Sequence, residues 1–375
     1  MANSYFTKRK KVLIFFSKII CYRKENFLNQ KIKFGWAFPL PRRREMLEKI
    51  ALVENKDRIK LFKTKEMQAI VKIESAILKG IRNYFEKEGF VEIVVPHLTK
   101  VTGACENLST LFELDYFGRR AYLSQTGQLF LEILSPVFKK VWCTIHSFRV
   151  EPEVDDRHLT EFTLIEIEFL GNLQQLMEYE EKAIYSAVKE VLKLEEELEI
   201  LGISKERLKI FKPPYKRITY SKAIEILKEF NLKFGDDLKS KHERKLAEMF
   251  GPVFITHYPK EIKFFNMREN DEDPRIVNSV DLILPLAGEA AGGAEREFRY
   301  EKLIKRLIES TMFRMLIERG GSEKDFDWYL EFWKEYEGTL HSGCGIGVSR
   351  VVQSIIGSND IRATTPFVMN KNNLF

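Results

Sequence analysis

The sequence predicts an α+β fold in which an antiparallel sheet is flanked by helices. Three observations carry that expectation. Residues 141–148 and 162–169 are two apolar runs rich in β-branched and aromatic residues, joined by a charged loop, as in an antiparallel strand pair. Ile70, Ile73, Ile77, Ile81 and Phe85, and again Ile184, Val188 and Val191, recur at helical spacing and mark amphipathic helices. Strands and helices do not alternate as βαβ units would.

In chain order, residues 1–66 are basic and irregular, broken by Phe38-Pro39-Leu40-Pro41 and by Arg42-Arg43-Arg44, and read as an appendage. A main domain over 67–375 follows. Its first helix is expected to stop at Gly89 in a left-handed cap, and 90–98 reads as a buried strand ending at Pro96. Residues 111–116 and 120–124 suit a hairpin around Gly118, and 126–138 a helix. A long helix is predicted over 178–199, then a Lys-rich connection with short helices at 220–230 and 241–250. Strands follow at 252–256 and 280–284, a helix at 299–318, and a last helix at 348–356 after a glycine cluster.

With 375 residues, 44% of them hydrophobic, the chain can bury a large core. A net charge of +6 is compatible with nucleic acid but less lopsided than a dedicated nucleic-acid module, and ordinary solubility explains it equally. Cys21, Cys105, Cys143 and Cys344 are scattered without CxxC spacing, which points to a reduced, cytoplasmic protein with no disulfide framework. Residues 12–22, after the basic run at 8–11, have the outline of a signal peptide, but Lys18 interrupts them and no small-residue cleavage pattern follows. A core strand or short helix is expected there, and no membrane span anywhere.

Four groupings can do chemistry. Arg149, Glu151, Glu153, Asp155, Asp156, Arg157, His158 and Glu161 crowd the junction between the two strands at 141–169. Arginine forks there suit a polyanion, and surface ion pairs would use the same residue types. Gly343 through Arg350 opens a helix with close backbone approach and a positive end, although tight strand–helix packing needs the same glycines. Asp281 and Glu289 bracket a strand and its turn and could hold magnesium, or Glu289 could pair with Arg296. Residues 105–112 and 125–132 offer acceptors for an ammonium group and an amide.

Together these resemble the catalytic core of the class II aminoacyl-tRNA synthetases, from about Asp57 to Phe367. Gly89 to Pro96 is similar to motif 1, residues 148–168 to motif 2, and Gly343 to Arg350 to motif 3. Within the aspartyl/asparaginyl branch, CENLSTLFELDYFG at 105–118, HYPKEIKFFNMR at 257–268, GEAAGGAEREFRYEKL at 288–303 and WYLEF at 328–332 are similar to the asparaginyl enzymes and their archaeal asparagine-synthetase-related paralogues. The resemblance implies a class II antiparallel sheet, a homodimer, and ATP and Mg2+ as cofactors. It implies that Arg149 holds the α-phosphate and the amino acid carboxylate, and that Glu151 and Phe162 take the adenine. Arg157 and His158 would lie near the terminal phosphates, and Arg350 on the far side of the nucleotide. Asp281 and Glu289 would hold magnesium, and Glu106 and Gln128 the substrate ammonium.

Leu131 stands where aspartyl enzymes of the family carry a lysine, and Glu132 follows as in the asparaginyl branch. With Arg296 donating and Glu132 accepting, the resemblance implies an amide substrate, asparagine over aspartate. Departures from the family pattern are Gly292, Ser349, Val368-Met369 without the usual arginine, and Asn107-Leu108 in the loop expected to close over the amino acid. Sixty-six residues are too few for the usual anticodon-reading OB barrel with its linker. Residues 32–37 resemble its first strand, so 1–66 reads as a decayed remnant, leaving tRNA to be met through the acceptor stem. The expected function is activation of asparagine and transfer to tRNA. The alternatives are a paralogue that makes asparagine from aspartate and ammonia, and a non-catalytic regulator.

Overall fold

The computed structural model describes residues 41–101 and 110–374. Residues 32–37 lie outside them, as do Glu106, Asn107 and Leu108. One compact unit runs from Leu40 to Phe375, so residues 41–66, grouped with the appendage by sequence, fold with the main domain. Helices α1 (Pro41–Ala51) and α2 (Asn55–Leu61) lead into α3 (Lys65–Lys87), whose first turn is capped by the Thr64 hydroxyl accepting from the Met67 N–H. Ile70, Ile73, Ile77, Ile81 and Phe85 all face the core, and Gly89 ends the helix at φ +80°.

Strand β1 (Val91–Glu92) is far shorter than the buried strand expected over 90–98, and Val94 is 98% exposed. Only its start pairs, with the next main strand, and Leu98–Thr99 (β2) turns away into a three-stranded sheet with β3 (Glu113–Tyr116) and β4 (Arg119–Leu123). Helix α4 (Gln128–Phe138) precedes the long hairpin β5 (Lys140–Phe148) and β6 (Glu161–Phe169). Then comes α5 (Leu173–Val191), opened by a capping box of Asn172 and Gln175. The helix expected over 178–199 therefore starts earlier and breaks, resuming as Glu195–Ile200.

Strands β7 (Lys216–Thr219), β8 (Val253–Thr256), β9 (Ser279–Leu284) and β10 (Gly288–Glu295) follow, with α6 (Ser240–Phe250) before β8. The helix expected over 299–318 is two, α7 (Tyr300–Glu309) and α8 (Thr311–Glu318), because the Ser310 hydroxyl caps the second by accepting from the Phe313 N–H. Helix α9 (Asp327–Glu335), strand β11 (Ser342–Gly347) and helix α10 (Val348–Ile356) complete the domain.

The main sheet has the order β1-β5-β6-β11-β10-β9-β8-β7, antiparallel except for its two outermost pairs. One face carries Trp142, Ile165, Ile167, Cys344, Ile346, Leu282 and Phe254 into a core with α3, α5 and α10. The other face carries the ionisable groups, as the two-residue period of a strand requires.

Arg58 locks the first helices to the end of the chain. It is fully buried, its pKa is lowered to about 10 by burial, and it donates to the carbonyls of Ile50, Val53, Arg362, Thr365 and Pro366 at 2.5–3.2 Å. Arg58→Ala leaves those acceptors without their donor and should cost roughly 3–5 kcal/mol. A thermal melt within 2 °C of the unsubstituted protein's would contradict this role for Arg58.

Candidate active site

The hairpin register builds the site from the floor up. Across the sheet Cys143 faces Glu166, Glu166 faces Gly345, Gly345 faces Gly292, and Gly292 faces Asp281. Two carboxylates thus flank a pair of glycines that leave the backbone bare. A Cβ at Gly345 would lie 3.4 Å from Glu166 Oε1, and one at Gly292 would lie 3.0 Å from Glu289 Oε1 and 3.6 Å from Asp281 Oδ1. A bulge between Glu289 and Ala291 turns Glu289 toward the same place.

Over this floor opens a cavity of about 280 Å³. It is lined by Gln128, Arg149, Glu151, Arg157, His158, Phe162, Asp281, Glu289, Arg296 and Arg350, all singled out by sequence. Arg149 and Arg350, two hundred positions apart, therefore share one cavity. Arg149 follows β5, its N–H donating to the Thr160 carbonyl at 2.8 Å, and its guanidinium lies 5.4 Å from the Phe162 ring centre. Its Nε is buried without a hydrogen-bond partner among the described residues. Arg350, in the first turn of α10, donates to the carbonyls of Ala287 at 2.6 Å and Arg157 at 2.7 Å. Burial, then the nearby Arg157, pulls its pKa down to about 10, a cost that an anion in the cavity would offset.

Arg157 pairs with Glu243 of α6 at 2.9 Å, and burial raises the Glu243 carboxyl against the pull of Arg157. His158 Nδ1 lies 2.7 Å from Asp155 Oδ2, while the Arg157 and His158 N–H groups both donate to Asp155 Oδ1 at 2.8 Å. Burial opposes its ionisation, but these bonds hold the Asp155 carboxyl below its ordinary range and fix the loop.

Glu132 is not at the surface of the cavity. It is fully buried, and its oxygens accept from Gln128 Nε2 at 2.7 Å, Asn266 Nδ2 at 2.6 Å and the Tyr329 hydroxyl at 2.5 Å. Arg296 Nε lies 3.7 Å from it and donates at 2.8 Å to Glu168 Oε1, while Nη2 donates to the Gly343 carbonyl at 2.8 Å. One guanidinium thus serves two buried carboxylates. Burial opposes ionisation of Glu132, but His341, Arg296 and Tyr329 hold its pKa down, whereas burial raises that of Glu168. Leu131 packs among Val95, Val141, Cys143 and Ile145, and α4 carries no basic residue.

Sequence reasoning missed three groups. Glu166 lines the cavity, accepts from the Thr126 hydroxyl at 2.6 Å and the Gly127 N–H at 2.7 Å, and is pushed up to about 7 by burial. Lys263 lines it and grips Asp281. Glu168 holds Arg296. The signal for the two glutamates was the alternation of the strand Glu161–Phe169, in which Phe162, Leu164, Glu166 and Glu168 must share one face. Lys263 sits in a loop with no such period.

This sheet and this cavity define a class II synthetase catalytic domain, and the chain belongs to that family. The family model described as tRNA synthetases class II (D, K and N) matches residues 52–371. The asparagine–tRNA ligase of Pyrococcus furiosus is 38% identical over 336 residues, covering 88% of this chain and 74% of that protein. The ligase of Thermoplasma acidophilum is 34% identical, covering 81% of this chain and 70% of its own. The crystal structure of asparaginyl-tRNA synthetase from Pyrococcus horikoshii complexed with asparaginyl-adenylate is similar at a TM-score of 0.77 and 37% identity, covering 85% of this chain and 72% of that one.

Folded Glu166 titrates near 7, against about 4.3 for a glutamate in an unfolded chain. Between those values the folded protein keeps a proton that the unfolded chain has lost. The stability from this group is full below pH 4 and is lost as pH rises through 7. Glu166→Gln cannot ionise, so its melting temperature should fall less than that of the unsubstituted protein between pH 5 and pH 8. Equal falls in the two proteins would contradict the shift.

Proposed function

We propose that this chain activates asparagine with ATP, forming asparaginyl-adenylate, and transfers the asparaginyl group to tRNA. The observation that carries the choice of amino acid is the Glu132–Arg296–Glu168 group behind Gln128. It already holds two carboxylates around one guanidinium. The neutral amide of asparagine adds no charge there, whereas an aspartate side chain would bring a further carboxylate into a desolvated site where the ionised Glu132 already offsets Arg296, at a cost of several kcal/mol.

The remaining roles follow from position. Arg149, whose buried Nε has no partner among the described residues, takes the α-phosphate and the amino acid carboxylate, and so aligns nucleophile and phosphorus while cancelling their repulsion. Glu151 and Phe162 take the adenine, Arg157 and His158 the terminal phosphates, and Arg350 the far side of the nucleotide. Gln128 and Glu166, with Glu106 from outside the described residues, take the ammonium. None of these residues is required as a covalent nucleophile.

Asp281 and Glu289 fit magnesium, because both carboxylates converge on the space above Gly292 and magnesium takes its other ligands from phosphates and water. Bound there, it would neutralise phosphate charge. The exposed Val91 and Val94 of the motif 1 segment, with Leu98 just after it, suit a homodimer interface. The tRNA would be met at its acceptor stem. Among the described residues no helix is long and apolar enough to cross a membrane.

ATP–pyrophosphate exchange should be driven by asparagine about 100-fold better than by aspartate. Exchange with aspartate alone would overturn the assignment. Arg149→Ala and Arg350→Ala should each lower exchange about 100-fold or more while leaving the melting transition cooperative. Normal turnover in either would remove that arginine from the site.

A further inference from the structure

Lys263 reaches the cavity from the irregular segment between β8 and β9. Its ammonium donates to both oxygens of Asp281, at 2.8 and 2.7 Å, and stands 4.2 Å from the ring centre of Tyr258. The two charged side chains are only 11% and 6% exposed. Glu289 approaches Asp281 across Gly292. Two carboxylates this close in a buried sheet repel each other, and Lys263 supplies the compensating charge.

A divalent cation at these oxygens would sit against the ammonium already held there, and the two positive charges repel each other. We propose that Lys263 is a tethered cation occupying Asp281 in the nucleotide-free enzyme, and that a divalent cation must displace it in order to bind. The proposal rests on the reading of Asp281 and Glu289 as the metal carboxylates.

Its consequence is a coupling between metal and nucleotide. A free divalent cation that displaces Lys263 takes from a buried ammonium the carboxylate that accepts two of its bonds, which is costly. Nucleotide phosphates arriving with the metal accept that ammonium, and every charge is paired again. Metal and nucleotide then strengthen each other's binding by the same factor. A lysine suits the exchange better than an arginine, since its compact charge rides on a flexible stem and needs no fork geometry.

The test is Mn2+ binding to the full chain, followed by electron paramagnetic resonance, with and without a non-hydrolysable ATP analogue. Lys263→Gln keeps a hydrogen-bond donor for Asp281 but removes the charge. It should bind Mn2+ without nucleotide about tenfold or more tightly than the unsubstituted chain, with the coupling to the analogue reduced by the same factor. Lys263→Arg should stay weak. The displacement is also readable without substitution, because saturating Mn2+ alone should speed acetylation of Lys263 by an amine reagent, scored by mass spectrometry. If Lys263→Gln binds Mn2+ no more tightly and Mn2+ leaves Lys263 acetylation unchanged, while Asp281→Asn abolishes Mn2+ binding with the analogue, the metal reading stands and the tethered cation is wrong. If Asp281→Asn and Glu289→Gln both leave Mn2+ binding with the analogue intact, the metal reading itself fails and takes this proposal with it.

Discussion

The register that sets Glu166 beside Gly345, Gly345 beside Gly292 and Gly292 beside Asp281 is the constraint on which the site depends. It joins strands from three distant parts of the chain into one row. A slip of one residue in any pair would turn its charged side chains to the opposite face, into the apolar core beneath α3, α5 and α10. The same register brings the start of α10, and with it Arg350, up to the loop that carries Arg149 and Arg157.

The energetic problem created by this row is the burial of like charge. Glu166, Glu168 and Asp281 on the sheet, and Glu132 on α4, are all nearly or wholly removed from solvent. Three remedies serve the four: a helix N-terminus and a hydroxyl for Glu166, a shared guanidinium for Glu168 and Glu132, and an ammonium for Asp281. Arg149 and Arg350 are the opposite case, cations whose hydrogen bonds in the structure are to neutral groups or missing. A cavity lined by both carboxyl and guanidinium groups suits a ligand that is cationic at one end and polyanionic at the other. An amino acid joined to a nucleotide is such a ligand.

The helices with a strict apolar period were legible in the sequence, as were the charged hairpin and the residues Arg149, Arg157, Asp281, Glu289 and Arg350. The strands Gly288–Glu295 and Ser342–Gly347 were not, because three glycines in each hide the β pattern that side chains would write. Gly343 shows why the glycines are there: a Cβ would fall 2.1 Å from the Glu168 carboxyl. The segment 90–98 misled in the other direction, since an apolar run reads as buried whether it faces the chain's own core or stands exposed, as Val94 does. Glu132 was singled out by position, but spacing along a helix does not say which side chains already donate to its oxygens. Lys263 lay within the phrase 257–268 but was given no role, since only the fold brings it to Asp281.

The most direct test of the account is a crystal structure of the full chain with a non-hydrolysable asparaginyl-adenylate analogue. The account predicts the adenylate lying over Gly292 and Gly345, its phosphate gripped by Arg149, Arg350 on the far side of the nucleotide and the amide turned toward Arg296. An analogue bound elsewhere, or bound there with Arg149 turned out of the cavity, would contradict it.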